Sequence, residues 1–282
     1  MPGYDFSPGI RPSREDLLDI DTSVAHPARV YDYWLGGTEN YAADRAAGDE
    51  AIASFPGIVA AVRANRAFLA RAVGYMAAAG VRQFLDIGTG IPTAGNTHEV
   101  AQRVAADARI VYVDNDPVVA KHATSLLPVT SEGATSFIAA DVRDPDTILA
   151  QAQRTLDFSQ PVAIMLLGIL QLIPDADDPR AIVARLGQPV VPGSYLAISH
   201  PAQDILAAEQ GHLAERLSGR MPTGLVLRSG AEVRRMFSGF TLVPPGLVPL
   251  DQWHPELGDT GTGLRSTAHG GVGRKEPASA VS

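Results

Sequence analysis

The chain of 282 residues contains no cysteine. That excludes a disulfide framework, thiolate zinc centres and cysteine nucleophiles, and it fits a reducing compartment. Basic residues are also short in supply: 23 Lys and Arg stand against 31 Asp and Glu, a formal net charge of −8. Such a balance offers no long-range attraction to nucleic acid or to an anionic membrane, so neither is expected as a partner. The one concentrated basic segment, Arg63, Arg66 and Arg71, reads as a solvated helix face. Long apolar runs are missing as well. The first thirty residues hold Pro, Gly and acids but no signal core, and no window approaches a membrane span, so the chain reads as cytoplasmic. None of the seven His forms a His-x-x-x-His pair or gathers with acids, and no Gly-x-Ser-x-Gly elbow occurs. Neither a metal site nor a serine nucleophile is therefore expected.

What is present is enough apolar content, 45%, for one large core. Residues 1–12 are rich in Pro and Gly and read as a poorly ordered arm, and Ser13 with Asp16 reads as a helix start leading into Leu17-Leu18. A segment from His26 to Asp49 concentrates Tyr31, Tyr33, Trp34 and Tyr41 around Gly36-Gly37, in a chain only 6% aromatic. Two readings stand side by side: a helical cap whose aromatics fill their own contacts, or a lid over a ligand. From Pro56 to Gly80, Val59, Val62, Leu69, Val73 and Met76 recur at helical spacing, and Gly80 ends the run as a cap.

After Gly80 apolar runs alternate with helical patterns. Strands are expected at Gln83–Ile87, Ile110–Asp114, Ser136–Ala140, Val162–Leu167 and Tyr195–Ser199. Helices are expected at Thr93–Ala106, Pro117–Leu127, Pro145–Leu156 and near Arg180–Leu186. The pattern predicts an α/β fold, a parallel sheet with helices on both faces. Helices at Pro201–Leu217 and Ala231–Phe237, runs at Phe240–Val243 and Leu247–Leu250, and a closing strand at Ala268–Lys275 complete it. The expected organisation is an N-terminal arm and helical cap at 1–78, a nucleotide-binding domain at 79–275, and a disordered tail at 276–282.

Three strand ends carry the chemistry. Phe84-Leu85-Asp86-Ile87-Gly88-Thr89-Gly90 reads as a strand ending in a carboxylate, then a glycine turn that opens a helix. Glycines let backbone approach a ligand, and a helix start supplies unpaired N–H groups. A dinucleotide turn must accept a pyrophosphate, whereas Asp86 favours a cation or hydroxyl and amine donors. Val111-Tyr112-Val113-Asp114-Asn115 ends a second strand in an acid, where a ribose diol is bound. Asp116 before Pro117 reads as a helix cap. Ala140-Asp141-Val142 ends a third strand, so three acids are expected along one crevice.

These motifs resemble the cofactor motifs of class I S-adenosylmethionine-dependent methyltransferases. The resemblance is closer to one branch, the actinobacterial S-adenosyl methyltransferase family first catalogued as DUF574. Its hallmark stretches look like Ala28-Arg29-Val30-Tyr31-Asp32-Tyr33-Trp34-Leu35-Gly36-Gly37, Asn65-Arg66-Ala67-Phe68 and Gln83 to Thr93 here, and the similarity spans roughly residues 20–275. It implies a Rossmann-like sheet, mostly parallel with an antiparallel last strand, an N-terminal helical extension, and S-adenosyl-L-methionine as cofactor. By position, Asp86 with Gly88, Thr89 and Gly90 would contact the methionine part, Asp114 the ribose, and Asp141 with Val142 the adenine edge and face, with Asn115 and Leu167 also among the cofactor-binding residues. Leu167-Gly168 would lie beside the substrate entrance. Gln171 stands where relatives often carry His, a departure.

Displacement at a sulfonium methyl mainly needs alignment in a dry pocket, and a base only when the acceptor must lose a proton. His200, after the fifth strand, is a candidate base, though Ser199-His200-Pro201 also reads as a strand-to-helix turn; Tyr31, Asp32 and Arg66 are candidates from the cap. The expected acceptor is a small molecule, and oligomeric state is left open. Two rival classes remain: a cofactor-binding protein without transfer activity, and a nicotinamide-dependent oxidoreductase, which shares the sheet but has no place for Asp86 beside a pyrophosphate and Thr93 at its third glycine.

Overall fold

The computed structural model describes residues 4–5, 21–122, 133–205, 225–260 and 266–277. Five parallel strands form its centre: β2 (Gln83–Ile87), β3 (Arg109–Asp114), β4 (Ala134–Ala139), β5 (Ala163–Leu167) and β6 (Tyr195–Pro201). Their spatial order is β4-β3-β2-β5-β6. The chain therefore builds outward from β2 on one side, then crosses to β5 on the other. That reversal opens a crevice at the carboxyl ends of β2 and β5, where α/β sheets bind ligands.

Antiparallel pieces close the edges. A two-residue strand β1 (Tyr4–Asp5) pairs with β4, and β9 (Ala268–Arg274) pairs antiparallel with β6 along seven residues. Short strands β7 (Thr241–Leu242) and β8 (Val248–Pro249) add to β9. The mostly parallel sheet with an antiparallel last long strand is the architecture expected from the sequence.

The central strands are largely apolar because both faces are covered. Along β3, Ile110 and Tyr112 face one layer while Val111 and Val113 face the other; along β5, Ala163 and Met165 alternate with Ile164 and Leu166 in the same way. The first layer receives α3 (Ile58–Ala78), through Phe68, Leu69, Val73 and Met76, and α4 (Thr97–Val104). The second receives α6 (Pro145–Ala152), α7 (Pro179–Gly187) and α8 (Gly230–Arg235). Helix α3 thus packs on the sheet as well as carrying the cap, a hairpin of α1 (Pro27–Trp34) and α2 (Ala42–Ser54). The helix that follows β3, α5 (Pro117–His122), completes the described set.

Several expectations change. The helix after the glycine turn starts at Thr97, not Thr93. Gly88, Gly90 and Gly95 all have positive φ, Pro92 has no N–H, and the Thr93 amide bonds the Asn96 side chain at 3.2 Å, so the chain makes an extra loop first. Strand β6 runs through His200 to Pro201, because β9 offers partners at His269 and Ala268. Ser199-His200-Pro201 is therefore strand rather than turn, and no helix starts at Pro201. Helix α6 stops at Ala152 instead of Leu156. Arg71 is not solvated: it is 2% exposed and donates to the carbonyls of Trp253 at 2.9 Å, Leu250 at 2.6 Å and Asp259. Arg63 alone is the exposed helix residue expected.

The helix start near Ser13, most of the 1–12 arm, the ends of the helices expected to reach Leu127 and Leu217, and residues 278–282 lie outside the described residues. Among the described residues no helix is long and apolar enough to cross a membrane.

Candidate cofactor and acceptor site

A cavity of about 420 Å³ lies at the carboxyl ends of β2, β3, β4 and β5, roofed by α1 and α3. Asp86, Gly88, Thr89, Gly90, Asp114, Asn115, Asp141, Val142 and Leu167 all line it. The strand ends converge because each parallel strand points the same way, so acids far apart in sequence meet at one edge.

Local geometry at the turn follows from its glycines. Gly88 has φ of 74°, and a Cβ there would come within 2.8 Å of Ile169. At Gly90, φ is 66° and nothing lies within 4 Å of where a Cβ would sit. The backbone is thus bare toward the cavity. The turn is fixed from below by Gly88 N–H donating to Val113 O at 2.8 Å and by Gly90 N–H donating to Asp114 Oδ2 at 2.8 Å.

The three acids are in different states. Asp86 is 4% exposed and, among the described residues, accepts only the Thr97 hydroxyl, at 2.6 Å on Oδ2. Burial pushes its carboxyl up to about 6, the Thr97 bond and the Arg66 charge pulling the other way. Asp114 is also raised by burial, partly offset by the N–H groups of Asp116 and Gly90. Asp141 moves down: burial raises it, but Arg143 outweighs that by donating from Nε at 2.9 Å and Nη2 at 2.6 Å. Asn115 joins it, donating Nδ2 to Asp141 Oδ2 at 3.2 Å. The crevice therefore does not present three equal negative charges. One is paired with Arg143, and Asp86 is the least satisfied.

Asp116 caps α5 as expected, accepting from Val118 N–H at 2.6 Å. Its other oxygen stands 2.6 Å from His26 Nδ1 and 3.4 Å from Arg29 Nε, tying the cap to the end of β3. The capping motif in the sequence held no sign of that second role.

The candidate catalytic residues fare differently. His200 lines the cavity but is fully buried, and burial pushes its imidazole down to about 4. Nδ1 donates to Pro201 O at 2.7 Å, so Nε2 is the acceptor, 3.2 Å from Arg228 Nη1. Both ring nitrogens are engaged, which removes His200 as a free base. Arg228, which the sequence did not single out, is 3% exposed and also donates to Leu170 O, Ile173 O and Asp175. Asp32 is spent too: Oδ2 accepts from Glu39 N–H at 3.0 Å and Asn40 Nδ2 at 2.9 Å, closing the Gly36-Gly37 turn. A side chain on Gly37 would clash with it at 2.0 Å.

Tyr31 stays at the cavity wall. Its hydroxyl donates to Val62 O at 3.1 Å and accepts from Asn65 Nδ2 at 3.1 Å, while Asn65 Oδ1 accepts from Ser199 at 2.6 Å. Burial raises the Tyr31 phenol, so it orients rather than ionises. The aromatics of the cap fill contacts of their own, as the first reading expected, and two of them also face the cavity. Tyr33 bonds Asp49 and Trp34 bonds Gly48 O inside the hairpin, Arg29 lies over the Tyr41 ring, and Tyr31 and Trp34 also line the cavity. Among the described residues no group of three or more His, Asp or Glu is arranged for a metal ion.

The lining suits S-adenosylmethionine. The bare Gly90 backbone accommodates a ligand edge, Asp114 keeps lone pairs for a diol, and Asp86 keeps an oxygen that accepts nothing from the described residues. The chain is similar to proteins of known structure over most of its length. It shares 43% identity with a DUF574 family protein from Streptomyces avermitilis MA-4680, covering 91% of this chain and 99% of that one at a TM-score of 0.86. It shares 40% identity with a candidate methyltransferase from Thermobifida fusca YX, covering 91% and 97% at a TM-score of 0.82. No curated protein matches significantly. The model of the S-adenosyl methyltransferase family matches residues 13–276. The chain belongs to that family and is an S-adenosylmethionine-dependent methyltransferase.

Proposed function

We propose that the enzyme methylates a small, largely apolar molecule bound under the cap. The observation that carries this reading is the continuity of the cavity, which runs from the strand-end acids to a wall of Tyr31, Trp34, Phe55, Ile58, Val62 and Leu227. Its volume lies in the usual range for small-ligand sites, and its mix of apolar walls with few polar groups is what such sites use.

Asp86 and the Gly88–Gly90 turn hold the methionine part, Asp114 and Asn115 the ribose, and Asp141 with Val142 the adenine. When bound there, S-adenosylmethionine supplies a methyl group activated by its sulfonium. The chain's own contribution is placement and water exclusion. Leu167 and Gly168 end β5 beside the acceptor side, and the fixed Ser199–Asn65–Tyr31 chain of hydrogen bonds gives that wall one oriented hydroxyl. Outside the residues assigned to the cofactor, no described lining residue is a free base, which favours acceptors that arrive nucleophilic, such as amines or ionised phenols.

The test is labelled-methyl transfer across a panel of apolar amines, phenols and carboxylic acids, beside calorimetry with S-adenosylhomocysteine. Turnover on apolar amines or phenols is expected. Tight binding of S-adenosylhomocysteine with methylation confined to protein or nucleic acid would overturn the small-acceptor reading.

A further inference from the structure

The Asn65-Arg66 stretch of α3 is a motif to which the reading above gives no cofactor role. Arg66 lines the same cavity as Asp86, Gly88 and Thr93. One nitrogen, Nη2, is used on the loop before α4, at 3.3 Å from Ala94 O, 3.0 Å from Gly95 O and 3.5 Å from Asn96 Oδ1. Nε and Nη1 have no partner among the described residues, and no carboxylate lies within salt-bridge distance. The guanidinium is close enough for its charge to act on the Asp86 carboxyl.

The methionine end of the cofactor is a zwitterion, and burying it requires an anion and a cation side by side. Asp86 supplies the anion. The other basic side chains of the described lining are committed elsewhere. Arg143 is bidentate on Asp141 and 3.6 Å from Asp177. His26 is on Asp116, and His200 accepts from Arg228. Arg66 is left with a free donor edge at the Asp86 end, in the planar fork that matches a carboxylate.

We infer that Arg66 binds the α-carboxylate of the cofactor's methionine part, so that Arg66 and Asp86 grip the amino-acid zwitterion between α3 and β2. The inference rests on the methyltransferase reading of the cavity. It moves Arg66 from the acceptor chemistry to cofactor binding, and it explains why a long arginine on α3 reaches the loop that follows the glycine turn.

Calorimetry on the full chain with S-adenosylmethionine, decarboxylated S-adenosylmethionine and 5′-methylthioadenosine tests it. In the wild type, removing the carboxylate should weaken binding on the order of 10- to 100-fold, as expected for a hydrogen bond to a charged group. Arg66→Met should lose a similar factor for S-adenosylmethionine and leave the decarboxylated analogue and 5′-methylthioadenosine unchanged, with Arg66→Lys recovering part of the loss. Equal weakening of all three ligands in Arg66→Met would assign Arg66 to holding the 94–96 loop and overturn the inference. So would a wild type indifferent to the carboxylate. Failure of all three ligands to bind the wild type would instead overturn the cofactor reading itself.

Discussion

The strand-end edge and the α1–α2 cap carry the same residue type to opposite ends. In the cap, Asp44 is fully buried and its oxygens accept from His26 N–H at 2.9 Å and Tyr41 N–H at 2.8 Å, with Arg29 3.7 Å away. Asp32 likewise closes its own turn. At the strand ends, Asp86 has one protein donor and Asp114 two backbone ones. A buried carboxylate whose lone pairs are filled by its own chain is a structural part, whereas one left short of donors is held ready for a ligand. Donor count separates Asp86 from the cap acids where burial does not, while Asp114, with two backbone donors like Asp44, differs from them in lining the cavity.

The sharpest way to break this contrast is Asp44→Ala. It strands two N–H groups and leaves buried Arg29 with Asp116 as its remaining carboxylate, and should cost about 3 kcal/mol of stability in urea unfolding, with S-adenosylhomocysteine still bound by the folded fraction. A loss of binding with stability intact would reverse the assignment of the two regions.

Asp86→Asn comes next, and its effect should depend on pH. The folded carboxyl sits near 6 against 3.8 for the ordinary group. Its contribution to stability is therefore fully present below pH 3.8 and lost as pH rises through 6, because the native state holds the proton longer. Two units correspond to roughly 3 kcal/mol, so Asp86→Asn should be more stable than wild type at pH 7 and flatten the slope between pH 4 and 6. Cofactor affinity in the wild type should rise through the same window as the carboxylate forms, and not in the variant. Urea curves and calorimetry at pH 4.5, 6 and 7.5 read both.

Asp114→Ala should weaken S-adenosylhomocysteine binding by about 1–3 kcal/mol through lost diol contacts; calorimetry showing unchanged affinity would remove Asp114 from the ribose. Gly90→Ala places a methyl where the backbone is bare, at positive φ. A loss of about 1 kcal/mol in thermal stability is expected, with a larger loss in cofactor affinity if the cradle is used. Smallest is Tyr33→Phe in the cap, whose hydrogen bond to Asp49 lies at the exposed surface, so thermal melting and cofactor binding should both be unchanged.

The parts of this molecule that were legible in advance are those governed by local pattern. Val111-Tyr112-Val113-Asp114 could only be a buried strand tipped with an acid, and its alternation between two apolar layers follows from period-two geometry. The three acids meet because parallel strands end together, so their convergence was also readable. Helix ends were less so. Thr93 opens no helix because Gly95 and Pro92 intervene, and β6 outruns its expected end because β9, far away in sequence, completes its ladder at His269 and Ala268.

The site's electrostatics were the least legible. Nothing in the spacing of Asp141 and Arg143 states that the pair is bidentate, nor that Arg71 lies buried under Leu250, Trp253 and Asp259. His200 looked available because its strand was expected to end at Ser199. In the fold it is enclosed between Pro201 O and Arg228 of a distant segment. By itself the sequence determined the sheet, the glycine turn and which carboxylates reach the cavity, since these follow from local conformational preference and chain direction. Which of those groups stay free for a ligand was decided only by tertiary structure, because hydrogen-bond satisfaction and desolvation depend on partners brought from elsewhere in the chain.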